Sequence, residues 1–195
     1  MKKLLIVFTL FFSYTSYTQE SASNEYDGNY AFDRAKEFII DSIIGSPGVK
    51  IKRIYIDGLP GEKYSELTSL YYNGSEKEGI VLGIFDRAIN EVGYSYWKYI
   101  FLNFNREEAI SFFKVVDGIK DRERSYLNDK NKENHVYFKM KDITFLLYLD
   151  SGYRMKVFYK GFISDWKGTS FERMRRKFEK RLSQAAKGKI GNNIP

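Results

Sequence analysis

The chain has 195 residues, of which 43% are hydrophobic, 29% charged and 17% aromatic, and its formal net charge is +7. This composition excludes a disordered chain, which lacks the aromatic residues that fill a core, and a mean hydropathy of -0.46 argues against a multispan membrane protein. The absence of cysteine excludes disulfide bonds, cysteine nucleophiles and lipid anchoring through a cysteine.

The N-terminal segment has the layout of a secretory signal peptide. Two lysines follow the initiator methionine, and Leu4–Phe12 form an apolar run that as a helix would rise only about 14 Å, too short to span a bilayer. Ser16 and Thr18 are the small residues that a signal peptidase requires if Gln19 becomes the new N-terminus. We therefore expect residues 1–18 to be removed on export, to the bacterial periplasm or exterior.

The first half of the mature chain predicts one helix followed by four strands. Apolar residues recur at helical spacing over Ala31–Ile44, and a Gly-Ser-Pro-Gly segment ends this helix. Runs rich in β-branched and aromatic residues predict strands over Val49–Ile56, Tyr64–Tyr72, Ile80–Ile89 and Tyr94–Phe104. Turns are expected at the dipeptides Asp57-Gly58, Pro60-Gly61 and Asn73-Gly74.

A second helix is predicted to begin after Asn105. Glu108 stands three positions later, where its side chain completes a capping box. Asp117-Gly118 is expected to end this helix, although the charged run to Tyr126 can extend it, and Lys120–Asn134 is predicted to be an exposed loop.

The last third predicts three more strands and a final helix. The strands are expected over His135–Met140, Ile143–Leu149 and Tyr153–Tyr159. Thr169 and Glu172 have the spacing of a second capping box, and Gly188 closes the helix that follows.

These elements predict an α+β fold. Meandering strands pair antiparallel, so we expect one antiparallel sheet of about seven strands with N-terminal, central and C-terminal helices packed on it. Residues 19–187 would form a single domain and residues 188–195 a flexible tail.

The sequence lacks the residues that most catalytic and metal-binding sites require. The single histidine, His135, could serve only as the base of a Ser-His-Asp triad, and no G-x-S-x-G motif presents a serine to it. Asp129–Glu133 spaces oxygen ligands as the start of a calcium loop does, but the required Gly and Glu are missing. We expect no metal or cofactor, and the chain favours a non-enzymatic role with no catalytic residue assigned.

The final helix concentrates positive charge. Residues 151–195 contain twelve Lys or Arg against three Asp or Glu. Six cations fall within nine residues of the predicted helix: Arg173, Arg175, Arg176, Lys177, Lys180 and Arg181. This pattern is typical of a terminal helix whose apolar side packs in the core and whose basic side is only solvated, and it also occurs in helices that dock on an anionic surface.

Two functions from different classes follow. The first is an exported, non-enzymatic binding protein of the cell envelope or exterior, with anionic lipid or acidic glycan as partner and no nucleic acid, since no recognition module is found. The alternative is a cofactor-independent hydrolase that cleaves polysaccharide with two carboxylates, with Trp97 and Trp166 as aromatic contacts for sugar rings.

Overall fold

The structure, a computed structural model, describes residues 18–21, 28–46, 48, 50–51, 53–62, 67–129 and 133–191. Within these residues the chain forms two antiparallel sheets and several helices, which confirms the α+β class. In chain order the elements are β1 (Thr18–Ser21), α1 (Gly28–Phe38) continuing as a π-helical turn (Ile39–Ile44), β2 (Ile54–Glu62), β3 (Leu67–Gly74), β4 (Lys77–Ile89), β5 (Ser95–Asn105), α2 (Arg106–Arg122), α3 (Arg124–Leu127), β6 (His135–Met140), β7 (Ile143–Leu149), β8 (Tyr153–Tyr159), β9 (Phe162–Lys167) and α4 (Gly168–Ala186).

The larger sheet has five strands in the order β1-β5-β4-β3-β2 and forms the middle layer of the molecule. Its central strand β4 is buried without interruption from Gly79 to Phe85, because both faces of the sheet are covered. On one face, α1 and the π-helical turn pack residues such as Ala35 and Ile39 against Val81 and its neighbours. The opposite face contributes to the larger of the two cores.

The smaller sheet is a four-stranded meander, β6-β7-β8-β9, that shares this larger core with α2 and α4. Phe112 of α2 lies at the junction of these elements. Its ring centroid is 5.4 Å from that of Phe104 in the larger sheet, 5.1 Å from Phe145 in the smaller sheet and 5.6 Å from Phe171 in α4. The predicted single sheet of about seven strands is therefore two sheets, with nine strands in the described residues.

Helix α2 begins as predicted and ends later. The Asn105 side chain accepts a hydrogen bond from the Glu108 amide at 2.9 Å, and the Glu108 carboxylate accepts one from the Asn105 amide at 2.9 Å. The helix passes Gly118 and α3 follows almost at once, so residues 120–122 and 124–127 of the predicted loop over Lys120–Asn134 are helical. Burial of Ile119 and Leu127 in the larger core explains this extension.

The prediction for β2 is wrong in position, because this strand runs through two dipeptides that predicted turns. β2 is an edge strand, where Pro60 costs no hydrogen bond within the sheet. Gly58 lies against the Phe32 ring, and a Cβ atom at Gly58 would stand only 2.9 Å from a ring carbon. Tertiary position therefore overrides the turn propensity of this segment.

The start of α4 also differs from the prediction, and the strand before it was not predicted. β9 is a short strand whose buried side chains alternate as Phe162, Ser164 and Trp166. α4 then begins at Gly168 without a side-chain capping hydrogen bond, so Thr169 does not cap it. A Cβ atom at Gly168 would stand only 2.6 Å from the Tyr153 carbonyl oxygen, which favours glycine at this position.

The ends of the chain are described only in part. Residues 1–17 of the predicted signal peptide lie outside the described residues. Thr18, the last residue of the predicted signal peptide, begins β1 and pairs with Ile100 of β5. In the segment predicted to be a tail, Ile190 is buried and its carbonyl accepts a hydrogen bond from Arg53 at 3.1 Å. No helix among the described residues is long and apolar enough to cross a bilayer.

Candidate functional site

Helix α4 packs its apolar side into the larger core. Phe171, Met174 and Phe178 are fully or almost fully buried, as the helical spacing of apolar residues predicts. The Phe178 ring lies 5.6 Å from Phe113 of α2 and 6.1 Å from Tyr71 of β3, measured between centroids. This packing fixes which side chains of α4 face outward.

Three of the six predicted anion-binding residues are instead paired with carboxylates of neighbouring elements. Arg175 contacts Asp117 of α2, and also Glu172 of its own helix at 2.7 Å. Lys177 and Arg181 share Asp57 of β2, with nitrogen-to-oxygen distances of 3.1 and 2.7 Å. The side chains of this inner basic group (Arg175, Lys177 and Arg181) are 22 to 35% exposed. We conclude that this group ties α4 to α2 and β2.

The other three form what we call the outer basic row: Arg173, Arg176 and Lys180. All three are exposed, and within the described residues none has a hydrogen-bond or ion-pair partner. Their spacing of three and four residues places them on one side of the helix. Like charges at this spacing repel one another, so an anionic partner would stabilise the row.

A cleft of about 720 Å³, here called the α4 cleft, opens beside the first turns of α4. The turn between β7 and β8, the first residues of β8 and the start of α4 line it. Its cationic side chains are Lys120, Arg154, Lys167, Arg173 and Arg176, and its carboxylates are Asp150 and Glu172. The cleft therefore carries an excess of positive charge, and it includes two members of the outer basic row.

Both carboxylates of the α4 cleft are engaged by cations. Lys120 lies 2.5 Å from Glu172, and Arg154 lies 3.6 Å from Asp150. Arg154 also donates a hydrogen bond to Asp165 at 3.1 Å, which raises the pKa of its guanidinium. These pairs leave Arg173 and Arg176 as the guanidinium groups that face the cleft with no carboxylate partner in the described part of the chain.

A second, more acidic cleft of about 630 Å³ adjoins the first at Asp150 and Ser151. It contains His135, whose Nδ1 lies 3.0 Å from the Glu133 carbonyl oxygen, and Tyr148, whose ring centroid is 5.1 Å from the histidine ring. The Tyr148 hydroxyl donates to Asp165 at 2.7 Å, and burial together with this hydrogen bond raises the pKa of Tyr148 to about 12. His135 is exposed and shows no triad geometry within the described residues.

The two tryptophans do not lie where a sugar could stack on them, and this corrects the interpretation of both as aromatic contacts. Trp97 is 6% exposed and packs in the core beneath α1, while Trp166 is 0% exposed in the larger core. Their strands direct these side chains inward because alternate residues of a strand face the core. Trp166 contacts the Phe171 ring, with centroids 5.2 Å apart.

The described residues contain no metal-binding cluster, and the Glu108 carboxylate has structural partners. Glu108 is used in the capping box and lies 2.7 Å from Lys141. No group of three or more histidine and carboxylate side chains is placed to hold a metal ion in the ranges that the structure describes. No protein family matches the chain, and no curated protein or solved structure matches it.

The sequence singled out the six basic residues of α4 as one set, without separating the outer basic row from the inner basic group, and it did not predict the α4 cleft. Lys120 comes from α2, Arg154 from β8 and Lys167 from the end of β9, so only the fold brings them together. The excess of basic residues after position 150 was the available signal for Arg154 and Lys167. No local pattern distinguished Lys120 from the other charged residues around it.

Proposed function

We propose that this chain is an exported, non-enzymatic binding protein that attaches to an anionic surface of the bacterial envelope or exterior through the outer basic row of α4. One observation carries the proposal. Arg173, Arg176 and Lys180 lie exposed on one side of the helix with no partner among the described residues, although the inner basic group of the same helix is paired. Anionic lipid headgroups and acidic glycans are the candidate partners.

The distribution of carboxylates supports this proposal over a helix that is only solvated. Asp57 and Asp117 pair with inner basic residues, whereas no carboxylate of the described residues forms an ion pair with the outer row. Each cation near an anionic lipid surface contributes about 1 kcal/mol, and such attraction weakens as salt shortens the Debye length. The expected attachment is therefore electrostatic and sensitive to salt.

The test removes the outer row and preserves the fold. In the variant Arg173→Gln/Arg176→Gln/Lys180→Gln, glutamine keeps good helix propensity at each position. We expect affinity for phosphatidylglycerol vesicles at low salt to fall by about a hundredfold, from three contributions of about 1 kcal/mol each. Sedimentation with vesicles measures this loss, and an acidic glycan resin provides the second arm.

A matched control removes three exposed cations that lie outside α4. Lys114, Arg124 and Lys139 are exposed residues of α2, α3 and β6, so their replacement by Gln lowers the net charge equally. This control should retain binding close to that of the wild type. Arg181 is left unchanged because its loss would leave Asp57 with one cation fewer and confuse stability with binding. Equal losses in the two variants, or no binding of the wild type to either anionic surface, would contradict the proposal.

A further inference from the structure

We infer that the α4 cleft binds the phosphate monoester of a sugar phosphate, either free in solution or carried as a lipid headgroup. This inference rests on the proposed function, because Arg173 and Arg176 belong both to the outer basic row and to the cleft. It goes further by assigning a ligand class to an open cleft. The charge, the size and the lining side chains of that cleft each indicate this ligand.

The charge of the cleft matches a dianion. Guanidinium groups bind phosphate with two parallel hydrogen bonds, and a phosphate monoester carries close to two negative charges at neutral pH. Two arginines, Arg173 and Arg176, face the cleft without a carboxylate partner in the described residues. Asp150 and Glu172 repel such a ligand less than free carboxylates would, because Arg154 and Lys120 hold them.

The start of α4 adds to this charge. Gly168 and Thr169 line the cleft, and the 19-residue helix begins there without a side-chain cap. Uncapped amides at a helix start are hydrogen-bond donors with positive partial charge. They act together with the two arginines, which remain the main determinants.

The size of the cleft and its mixed polar and apolar lining indicate more than a phosphate ion. A volume of about 720 Å³ lies within the usual range for small-molecule sites. Ser151 and Thr169, which carry hydroxyls, line the cleft, and so does Asp150, whose side chain is 61% exposed and can accept hydrogen bonds from ligand hydroxyls. Tyr153 also lines the cleft, and Lys120 Nζ lies 5.5 Å from the centroid of its ring. This combination fits a hydroxyl-rich ring that carries the phosphate.

Isothermal titration of the full chain with glucose 1-phosphate tests the inference directly. We expect saturable binding with one site, weaker binding of inorganic phosphate, and none of glucose. Arg173→Gln/Arg176→Gln should weaken glucose 1-phosphate binding at least about tenfold, because two charge-assisted hydrogen-bonding groups are lost. Lys114→Gln/Lys139→Gln removes two exposed cations that lie outside both the cleft and the outer basic row, and it should change binding less than about twofold. Absence of saturable binding by the wild type would overturn the inference.

A second variant fills the cleft without changing charge. Thr169→Trp places an indole at an exposed position of the cleft wall, and Ser183→Trp places the same group at an exposed position elsewhere on α4. We expect Thr169→Trp to abolish binding of glucose 1-phosphate and Ser183→Trp to preserve it. Equal affinity in the two variants would show that the ligand does not occupy the cleft.

Vesicle binding distinguishes a failure of this inference from a failure of the proposed function. It also distinguishes a free sugar phosphate from a lipid headgroup as the ligand. Lipid A carries monoester phosphates on sugar rings, whereas phosphatidylglycerol carries a diester phosphate and no sugar. If a lipid headgroup is the source, vesicles that contain lipid A bind more tightly than phosphatidylglycerol vesicles of equal charge, and Thr169→Trp removes this preference. If the wild type binds glucose 1-phosphate but shows no preference for lipid A, the free sugar phosphate is the ligand. Salt-sensitive vesicle binding without glucose 1-phosphate binding overturns the inference and leaves the proposed function standing.

Discussion

Tyr148, Arg154 and Asp165 form a hydrogen-bonded network on the exposed side of the smaller sheet. Asp165 accepts from the Tyr148 hydroxyl at 2.7 Å and from the Arg154 guanidinium at 3.1 Å. The same Arg154 lies 3.6 Å from Asp150 in the wall of the α4 cleft. The network therefore positions one side of the cleft from three adjacent strands and a turn.

The pKa of Tyr148 gives this network a pH signature. Its folded pKa of about 12 lies above the ordinary value of 10.0, so folding is favoured while the phenol is protonated. This stabilisation is fully present below about pH 10 and is lost as the pH rises towards about 12. We expect the free energy of unfolding of the wild type to exceed that of Tyr148→Phe below pH 10, and the difference to shrink above it. Denaturant unfolding at a series of pH values measures this difference, and a constant difference up to pH 12 would contradict the assignment.

The partners of individual charged residues could not be predicted from the sequence. Arg181 and Lys177 pair with Asp57, which lies more than a hundred residues earlier, while Arg176 and Lys180 have no partner in the described ranges. All four look alike in a local window. The roles of the two tryptophans could not be predicted either, because the sequence around a buried aromatic residue does not differ from that around one that stacks on a sugar.

At the scale of elements, α4 holds together the larger core through Phe178. This ring is 0% exposed and lies between Phe113 and Tyr71. We expect Phe178→Ala to lower the free energy of unfolding by about 3 kcal/mol or more, because it leaves a cavity. Glu179→Ala, at the next and exposed position, should change it by less than about 0.5 kcal/mol. Chemical denaturation measures both, and a similar small effect of the two changes would show that α4 is not packed as described.

The elements that the sequence predicted correctly are those with a local signature. β6, β7 and β8 have their predicted bounds, and the hairpin of β4 and β5 begins and ends within three residues of its predicted bounds. β2 and β9 depend on long-range packing instead. β2 tolerates Pro60 because it is an edge strand, and β9 is a short strand whose buried side packs in the larger core. The division into two sheets has no local signal at all.

At the scale of the whole molecule, basic residues are in excess in residues 151–195, where twelve Lys or Arg stand against three Asp or Glu. The sequence alone predicted that excess of basic residues, and the fold shows how part of it is neutralised, since β2 and α2 supply the carboxylates that hold the inner basic group. The outer basic row remains, together with the positive α4 cleft. For the anionic partner proposed above, a long-range field of this kind would orient the approaching protein and accelerate association at low salt.

The central sheet separates two cores, and each contains one of the chain's two tryptophans. Trp97 and Trp166 are thus built-in fluorophores for opposite sides of β4 and its neighbours. In Trp166→Phe the indole emission comes from the core beneath α1, and in Trp97→Phe it comes from the larger core. Because both cores share the same strands, we expect the red shift of tryptophan emission on unfolding to have the same denaturant midpoint in the two variants. Separate midpoints would reveal that the layers on the two faces of the sheet melt independently.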